Sequence, residues 1–216
     1  GKRGQLSKDE RVRLVTARAA ATKRAMDLAL TLAALLPALP LMAAIALWVR
    51  LDSPGPALFR QERVGRGGVP FRIHKFRTMH VHDGSGPQVT AAGDARITRA
   101  GRWLRATKLD ELPQLIDVLK GDMSLVGPRP EVPRYMALYA DDVRRRILSV
   151  RPGITDQAAI EFRDEERLLA DATDPERAYI ERVMPVKQRY YLDYVAQRTL
   201  AGDLRILFDT VRALLR

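Results

Sequence analysis

The longest apolar run in the chain, Met26–Val49, is interrupted only by Asp27 and Thr31. As one helix its 24 residues would extend about 36 Å, enough to cross the hydrocarbon core of a bilayer. Pro37 and Pro40 fall in its middle, where each removes a backbone donor and crowds the preceding turn. Both flanks are basic, with Lys23 and Arg24 before the run and Arg50, Arg60, Arg63 and Arg66 after it. The positive-inside tendency therefore places both ends on the cytoplasmic side. A helix that enters, breaks at Pro37 and Pro40 and returns satisfies both observations. Thr31 or a packed neighbouring segment would partner the backbone groups freed at the break. A kinked spanning helix and a buried core hairpin are the alternatives. A secretory signal is disfavoured, because the run is long and no small-x-small pattern follows it.

After the turn cluster Asp52-Ser53-Pro54-Gly55-Pro56 the pattern changes. Ala57–Val64 and Val69–Phe76 read as two strands joined through Gly65-Arg66-Gly67-Gly68. This hairpin is dense in Arg60, Arg63, Arg66, Arg72, Lys75 and Arg77, either a polar face or a basic patch for phosphates and headgroups. A loop is expected from His82 to about Gly93. Helical patterns follow over Ile97–Leu109, Asp110–Lys120 and Glu131–Val150. In the second of these, Leu112, Leu115, Ile116 and Leu119 share one face and Gly121 is the stop. Residues 160–195 read as helical with breaks near Pro175 and Pro185. The last stretch, Leu204–Arg216, is amphipathic. It and the Trp103 helix are each either core helices or helices lying in a membrane interface.

Composition bounds the function. A chain of 216 residues with 46% hydrophobic content supports one globular domain plus an appendage. The expected division is a basic segment and membrane helix over 1–50 and a catalytic domain over 51–216. Without cysteine there is no disulfide framework, zinc-thiolate site or thiol nucleophile. Residues 1–24 hold eight Lys and Arg against Asp9 and Glu10, more than half of the net +11. Such a segment suits anionic phospholipid headgroups or nucleic acid. Aromatic content of 6% and the lack of a recognised binding motif argue against nucleic acid. His74, His80 and His82 have no metal-ligand spacing.

The candidate chemistry centres on Asp110-Glu111, followed closely by the loop Gly127-Pro128-Arg129-Pro130. Carboxylates bind Mg²⁺ or attack phosphorus. An arginine stiffened between two prolines is a sound phosphate clamp. Neither a Walker-type loop nor GxGxxG is present. A membrane-tethered polyanion binder and a bitopic scaffold are the competing classes.

Five stretches carry a specific resemblance. They are Lys23-Arg24 with Asp27 ahead of the proline-broken run, Phe71–Met79, Leu109–Leu115, Asp117–Pro130 and Arg151–Thr155. In order, over roughly residues 20–160, they resemble the bacterial sugar transferase family of monotopic polyprenyl-phosphate phosphoglycosyl transferases. The resemblance implies a mostly α fold with a small β-hairpin. It implies a re-entrant membrane helix-break-helix, interfacial amphipathic helices and a cytoplasmic catalytic globule at the bacterial inner membrane. The implied reaction moves a sugar-1-phosphate from a UDP-sugar to undecaprenyl phosphate, with Mg²⁺, and releases UMP. It is the first membrane step of polysaccharide or glycoconjugate assembly, exopolysaccharide and lipopolysaccharide included.

By the same resemblance Asp110 would be the nucleophile, forming an aspartyl-phosphosugar, and would also meet the metal. Glu111 would assist, by accepting the lipid phosphate's proton or by helping to organise the metal. Arg129, Lys75 and Arg77 would hold phosphate oxygens. Oligomeric state and donor sugar stay open. Many members continue past Thr155 with a Gly-Trp-x-Gln-Val-x-Gly-Arg-like run, whereas this chain has Asp156–Glu165.

Overall fold

The computed structural model describes residues 8–81, 94–163, 165, 169 and 172–214, with side chains from residue 16 onward. The loop expected over 82–93 lies outside the described residues. The fold is mostly helical. Helix α1, Lys8–Asp52, leads into an antiparallel hairpin of β1, Leu58–Val64, and β2, Pro70–Phe76. The hairpin register runs from Leu58↔Phe76 to Val64↔Pro70. Each observed strand starts one residue later than the sequence predicts and ends at the predicted residue.

Helix α1 corrects one expectation. The sequence predicted two helical segments separated by a break, yet Pro37 and Pro40 both lie inside one assigned helix. Ala and Leu on both sides are strong helix formers. Ala38, between the prolines, is buried in a cluster with Ile73, Leu115, Val118 and Met123. One stripe of α1 faces the globule from Asp27 to Val49: Asp27, Thr31, Ala38, Ile45 and Val49 are all buried. Their spacings of four and seven keep them on one helical face. Leu32, Leu36, Leu39, Leu47 and Leu51 point away and are exposed. By length and composition, the stretch Thr16–Asp52 is apolar enough to cross a membrane.

The basic pair before the apolar run is not spent on lipid. Arg24 donates to Val118 O at 2.6 Å and Leu119 O at 3.1 Å, carbonyls in the last turn of α3, Gln114–Lys120. Lys23 Nζ sits between Asp27 Oδ1 at 2.9 Å and Asp203 Oδ2 at 2.8 Å. Asp27 Oδ2 accepts from Ser124 Oγ at 2.7 Å. These buried polar contacts tie α1 to the globule. At the other end Val49 and Ile45 pack with Phe76, Ala100 and Leu104.

Helix α2, Arg99–Thr107, is capped by the Thr98 side chain and ends at Lys108, whose φ of 58° is left-handed. That residue turns the chain into a 3₁₀ turn, Leu109–Glu111, before α3. The single helix expected over Asp110–Lys120 is thus two elements, since Lys108 and Pro113 flank the turn. The helix expected over Glu131–Val150 is also two, α4, Pro133–Met136, and α5, Asp141–Ile147.

A second sheet has no counterpart in the sequence reading. Strand β3, Ser124–Val126, runs parallel to β4, Gly153–Thr155. A Cβ on Gly153 would lie 2.1 Å from Gly127 N, so only glycine allows this approach. Helices α6, Gln157–Glu161, and α7, Pro175–Ala178, follow. A π-turn at Tyr179–Val183 then joins α8, Met184–Gln197. The last element is α9, Leu200–Leu214, which exposes Leu204, Phe208 and Val211 and buries Asp203. Trp48 and Trp103 pack with ring centroids 5.4 Å apart and planes tilted by 58°, and both are exposed.

Candidate active site

Three elements converge on one carboxylate. Strand β2 delivers Lys75, whose Nζ lies 2.9 Å from Glu111 Oε1. The turn after Lys108 presents Asp110 and Glu111 side by side. The loop leaving β3 delivers Arg129, whose Nη1 donates to Glu111 Oε2 at 3.1 Å while Nη2 donates to Oε1. Two-point pairing of this kind fixes guanidinium orientation as well as position. The loop is itself held by Gly127 N to Thr155 O at 3.1 Å and Gly153 N to Pro128 O at 3.0 Å. Lys75, Asp110, Glu111 and Arg129 line a cavity of about 870 Å³.

The two adjacent carboxylates have opposite electrostatics. Burial pushes Asp110 up to about 6, and the neighbouring Glu111 charge adds to the shift. Burial would also raise Glu111, but the Arg129 guanidinium and the Lys75 ammonium overcome it and hold the carboxyl well below its usual range. Arg129 is raised in turn, chiefly by Glu111. Lys75 is lowered by burial, against the pull of Glu111. Asp110 Oδ1 is buried with no hydrogen-bond partner.

That orphaned oxygen bears on the implied cation. Among the described residues no three or more His, Cys, Asp or Glu side chains converge. Mg²⁺ is commonly held by one or two carboxylates together with substrate phosphates. A lone buried acceptor at the cavity, Asp110, fits that mode, whereas both oxygens of Glu111 are already bonded.

Arg77 is a correction. It borders the cavity, but its guanidinium closes the end of α1 and the turn beyond it. Nε donates to Pro56 O at 2.7 Å and Nη2 to Ser53 O at 2.8 Å and Val49 O at 3.3 Å, while Nη1 meets Ser53 Oγ. A group whose donors are consumed in this way is structural. Arg77→Lys is expected to lower stability by roughly 2–4 kcal/mol, since one ammonium cannot serve these acceptors. A chemical denaturation curve of the solubilised protein checks this; an unchanged midpoint would free Arg77 for phosphate.

The sequence reading also missed residues. Arg63 and Tyr191 line the cavity. Asp156 lies beside it, buried and pushed up to about 6 by burial, with its Oδ1 capping Ala159 N at 2.8 Å. Arg63 was visible only as one of many hairpin arginines. Asp156 falls at the start of the departing segment, and Ala159, Ile160 and Phe162 from that segment form cavity wall. His74 is engaged by Asp117, at 2.6 Å through Nδ1 and 2.9 Å through its backbone N–H.

The sequence profile described as bacterial sugar transferase matches residues 18–216. The chain belongs to that family. The match extends past the residues that first carried the resemblance, through α8 and α9. A UDP-glucose:undecaprenyl-phosphate glucose-1-phosphate transferase of Caulobacter vibrioides is 43% identical, over 89% of this chain and 69% of its own length. A UDP-N-acetylgalactosamine-undecaprenyl-phosphate N-acetylgalactosaminephosphotransferase of Aeromonas hydrophila is 38% identical, over 89% of this chain and 43% of that protein. An exopolysaccharide production protein, PSS, of Rhizobium leguminosarum is 40% identical, over 88% of this chain and 92% of that protein.

Proposed function

We propose that this protein is a phosphoglycosyl transferase that moves a sugar-1-phosphate from a UDP-sugar to undecaprenyl phosphate. The observation that carries the reading is the Lys75–Glu111–Arg129 cluster beside an unpartnered Asp110, in a family member. Asp110 attacks the β-phosphorus, forming an acyl-phosphate bond while the bond to the bridging oxygen breaks and UMP departs. An oxygen of the lipid phosphate then attacks the same phosphorus, and the Asp110 carboxylate is released. Asp110 and the substrate phosphates would hold Mg²⁺, which would supply charge neutralisation for the departing UMP. Glu111 is not the proton acceptor in this scheme. Its depressed proton affinity suits it to hold Lys75 and Arg129 at the phosphates.

The membrane reading follows from α1 and its polar anchors. Lys23, Arg24 and Asp27 on one side of the prolines, and Ile45 and Val49 on the other, pack on the same globule. This supports a helix that does not cross the bilayer but bends at Pro37 and Pro40 without breaking, so that both ends return to the cytoplasmic face of the inner membrane. There the exposed leucines, Trp48, Trp103 and α9 meet phospholipid. Because the chain has no cysteine, single cysteines near residues 20 and 205 report topology directly. Both are expected to react with an impermeant maleimide only after cells are opened. Labelling of the first in intact cells would establish a spanning helix instead.

The decisive assay is UMP release from a panel of UDP-sugars, with undecaprenyl phosphate and Mg²⁺. Release with one donor, lost on chelation and in Asp110→Ala, is the expected result. Silence across the panel from folded protein in lipid would refute the reading. The wall at Ala159, Ile160 and Phe162 is where donor choice is made, toward polysaccharide or another glycoconjugate. At limiting Mg²⁺ the rate is expected to fall about tenfold per pH unit below about 6, because only ionised Asp110 attacks, and saturating Mg²⁺ should move the fall to lower pH. A rate flat to pH 5 would exclude Asp110 as an attacking carboxylate with that proton affinity.

A further inference from the structure

We propose that Arg63 is a further substrate-binding residue, the guanidinium that receives the diphosphate of the nucleotide-sugar donor. The inference rests on the transferase reading and deepens it. Around the Asp110–Glu111 turn the charges already balance: Lys75 and Arg129 are both tied to Glu111, and Asp110 supplies a second negative charge when ionised. A diphosphate entering that group finds no surplus cation among those four residues.

Arg63 supplies one. It stands near the end of β1, opposite Phe71, and its side chain lines the same cavity. Its Nη1 donates to Pro130 O at 2.9 Å and its Nη2 to Gln61 Oε1 at 2.7 Å. Both acceptors are neutral. Its Nε is buried and has no partner. Glu131 is close enough to be felt, but it takes the Tyr179 hydroxyl and no Arg63 nitrogen bonds it.

Two other cavity cations are already engaged. Lys187 is paired with Glu165, and Arg77 is consumed by the end of α1 and the following turn. A partly buried guanidinium without a bonded counterion, its Nε out of water, is costly. Burial accordingly lowers the proton affinity of Arg63, with Arg129 adding to the effect and Glu131 opposing it. A phosphate oxygen at Nε would complete both the charge and the missing hydrogen bond. The bond to Pro130 O places this donor next to Arg129, so the two guanidiniums would address neighbouring phosphates.

A purely structural Arg63 would only tie the hairpin to the Gly-Pro-Arg-Pro loop. The test separates the roles by equilibrium binding of UDP, UMP and uridine to the full chain in lipid nanodiscs with Mg²⁺. It is run beside UMP release and thermal unfolding. For Arg63→Gln, UDP affinity is expected to drop at least tenfold, about 1.4 kcal/mol, with a smaller loss for UMP and none for uridine. KM for the UDP-sugar should rise with KM for undecaprenyl phosphate unchanged. Arg63→Lys, which keeps a donor for Pro130 O, should recover part of the UDP affinity.

Unchanged UDP affinity in folded Arg63→Gln overturns the proposal. So does a loss confined to undecaprenyl phosphate, or a lowered melting temperature with full affinity in Arg63→Lys and Arg63→Gln alike. If the unmodified protein neither binds UDP nor releases UMP, the transferase reading itself has failed. An active protein with an indifferent Arg63 refutes this inference alone.

Discussion

Asp110→Asn is expected to abolish UMP release and at the same time to make the protein more stable at pH 7.5. The loss of turnover should be roughly 10³-fold or more, since an amide cannot form the acyl-phosphate. The stabilisation follows from burial. Asp110 is 8% exposed, its Oδ1 has no partner, and its proton affinity is raised from the ordinary 3.8 to about 6. That displacement of about two pH units corresponds to at most about 3 kcal/mol of cost for the ionised form at neutral pH. The folded state binds the proton more tightly than the unfolded chain. The cost is therefore fully present above pH 6 and vanishes as pH falls below the unfolded value near 4. Melting curves of the two proteins in nanodiscs should differ by several degrees at pH 7.5 and converge near pH 4. Equal melting at pH 7.5 would mean that Asp110 carries no such penalty, and that a counter-charge reaches it in the folded protein.

Glu111→Gln, one residue along, is expected to act in the opposite sense. It removes the shared partner of Lys75 and Arg129, leaving two partly buried cations side by side. Breaking a buried pair by deleting one member costs about 3–5 kcal/mol. Lys75 and Arg129 are 16% and 28% exposed, so the lower end applies. Because the folded-state proton affinity of Glu111 is depressed, its stabilisation is present above the unfolded value near 4.5. It is lost as pH falls through the folded value. Turnover should fall roughly 10²-fold through mispositioned phosphate contacts, with no new ionisation in the pH profile. Denaturant titration and a pH–rate series on one preparation check both parts. A variant of unchanged stability that loses only the basic or acidic limb of the profile would instead make Glu111 a proton-transfer group.

These predictions pull apart two residues that the sequence presents as a dyad. Adjacent carboxylates share a local environment in the chain, and nothing in Leu109–Leu115 says which is buried alone and which is paired. The partners of Glu111 come from positions 36 residues before it and 18 after it. Arg77 shows the same limit. Two residues from Lys75, it should share a strand face by alternation. Strand β2 stops at Phe76, and the next side chain turns to the end of α1 instead. Lys23 and Arg24 read as a lipid-facing flank because their acceptors, Asp203 and the carbonyls of α3, are far off in sequence.

The sequence by itself determined the apolar helix, the hairpin to within a residue at the start of each strand, and the family, and it singled out Asp110, Glu111 and Arg129, which the fold gathers at one cavity. Each of these is written in contiguous residues, through periodicity, turn chemistry or an unbroken motif. Only the tertiary structure decided that α1 carries Pro37 and Pro40 inside one helix. It also set the parallel pairing of β3 with β4 beside the arginine loop, and sorted which cations face the cavity and which brace the fold. Strands of three residues carry too little pattern to predict. The role of a buried charge is set by the counter-charge and solvent exclusion that distant segments bring to it.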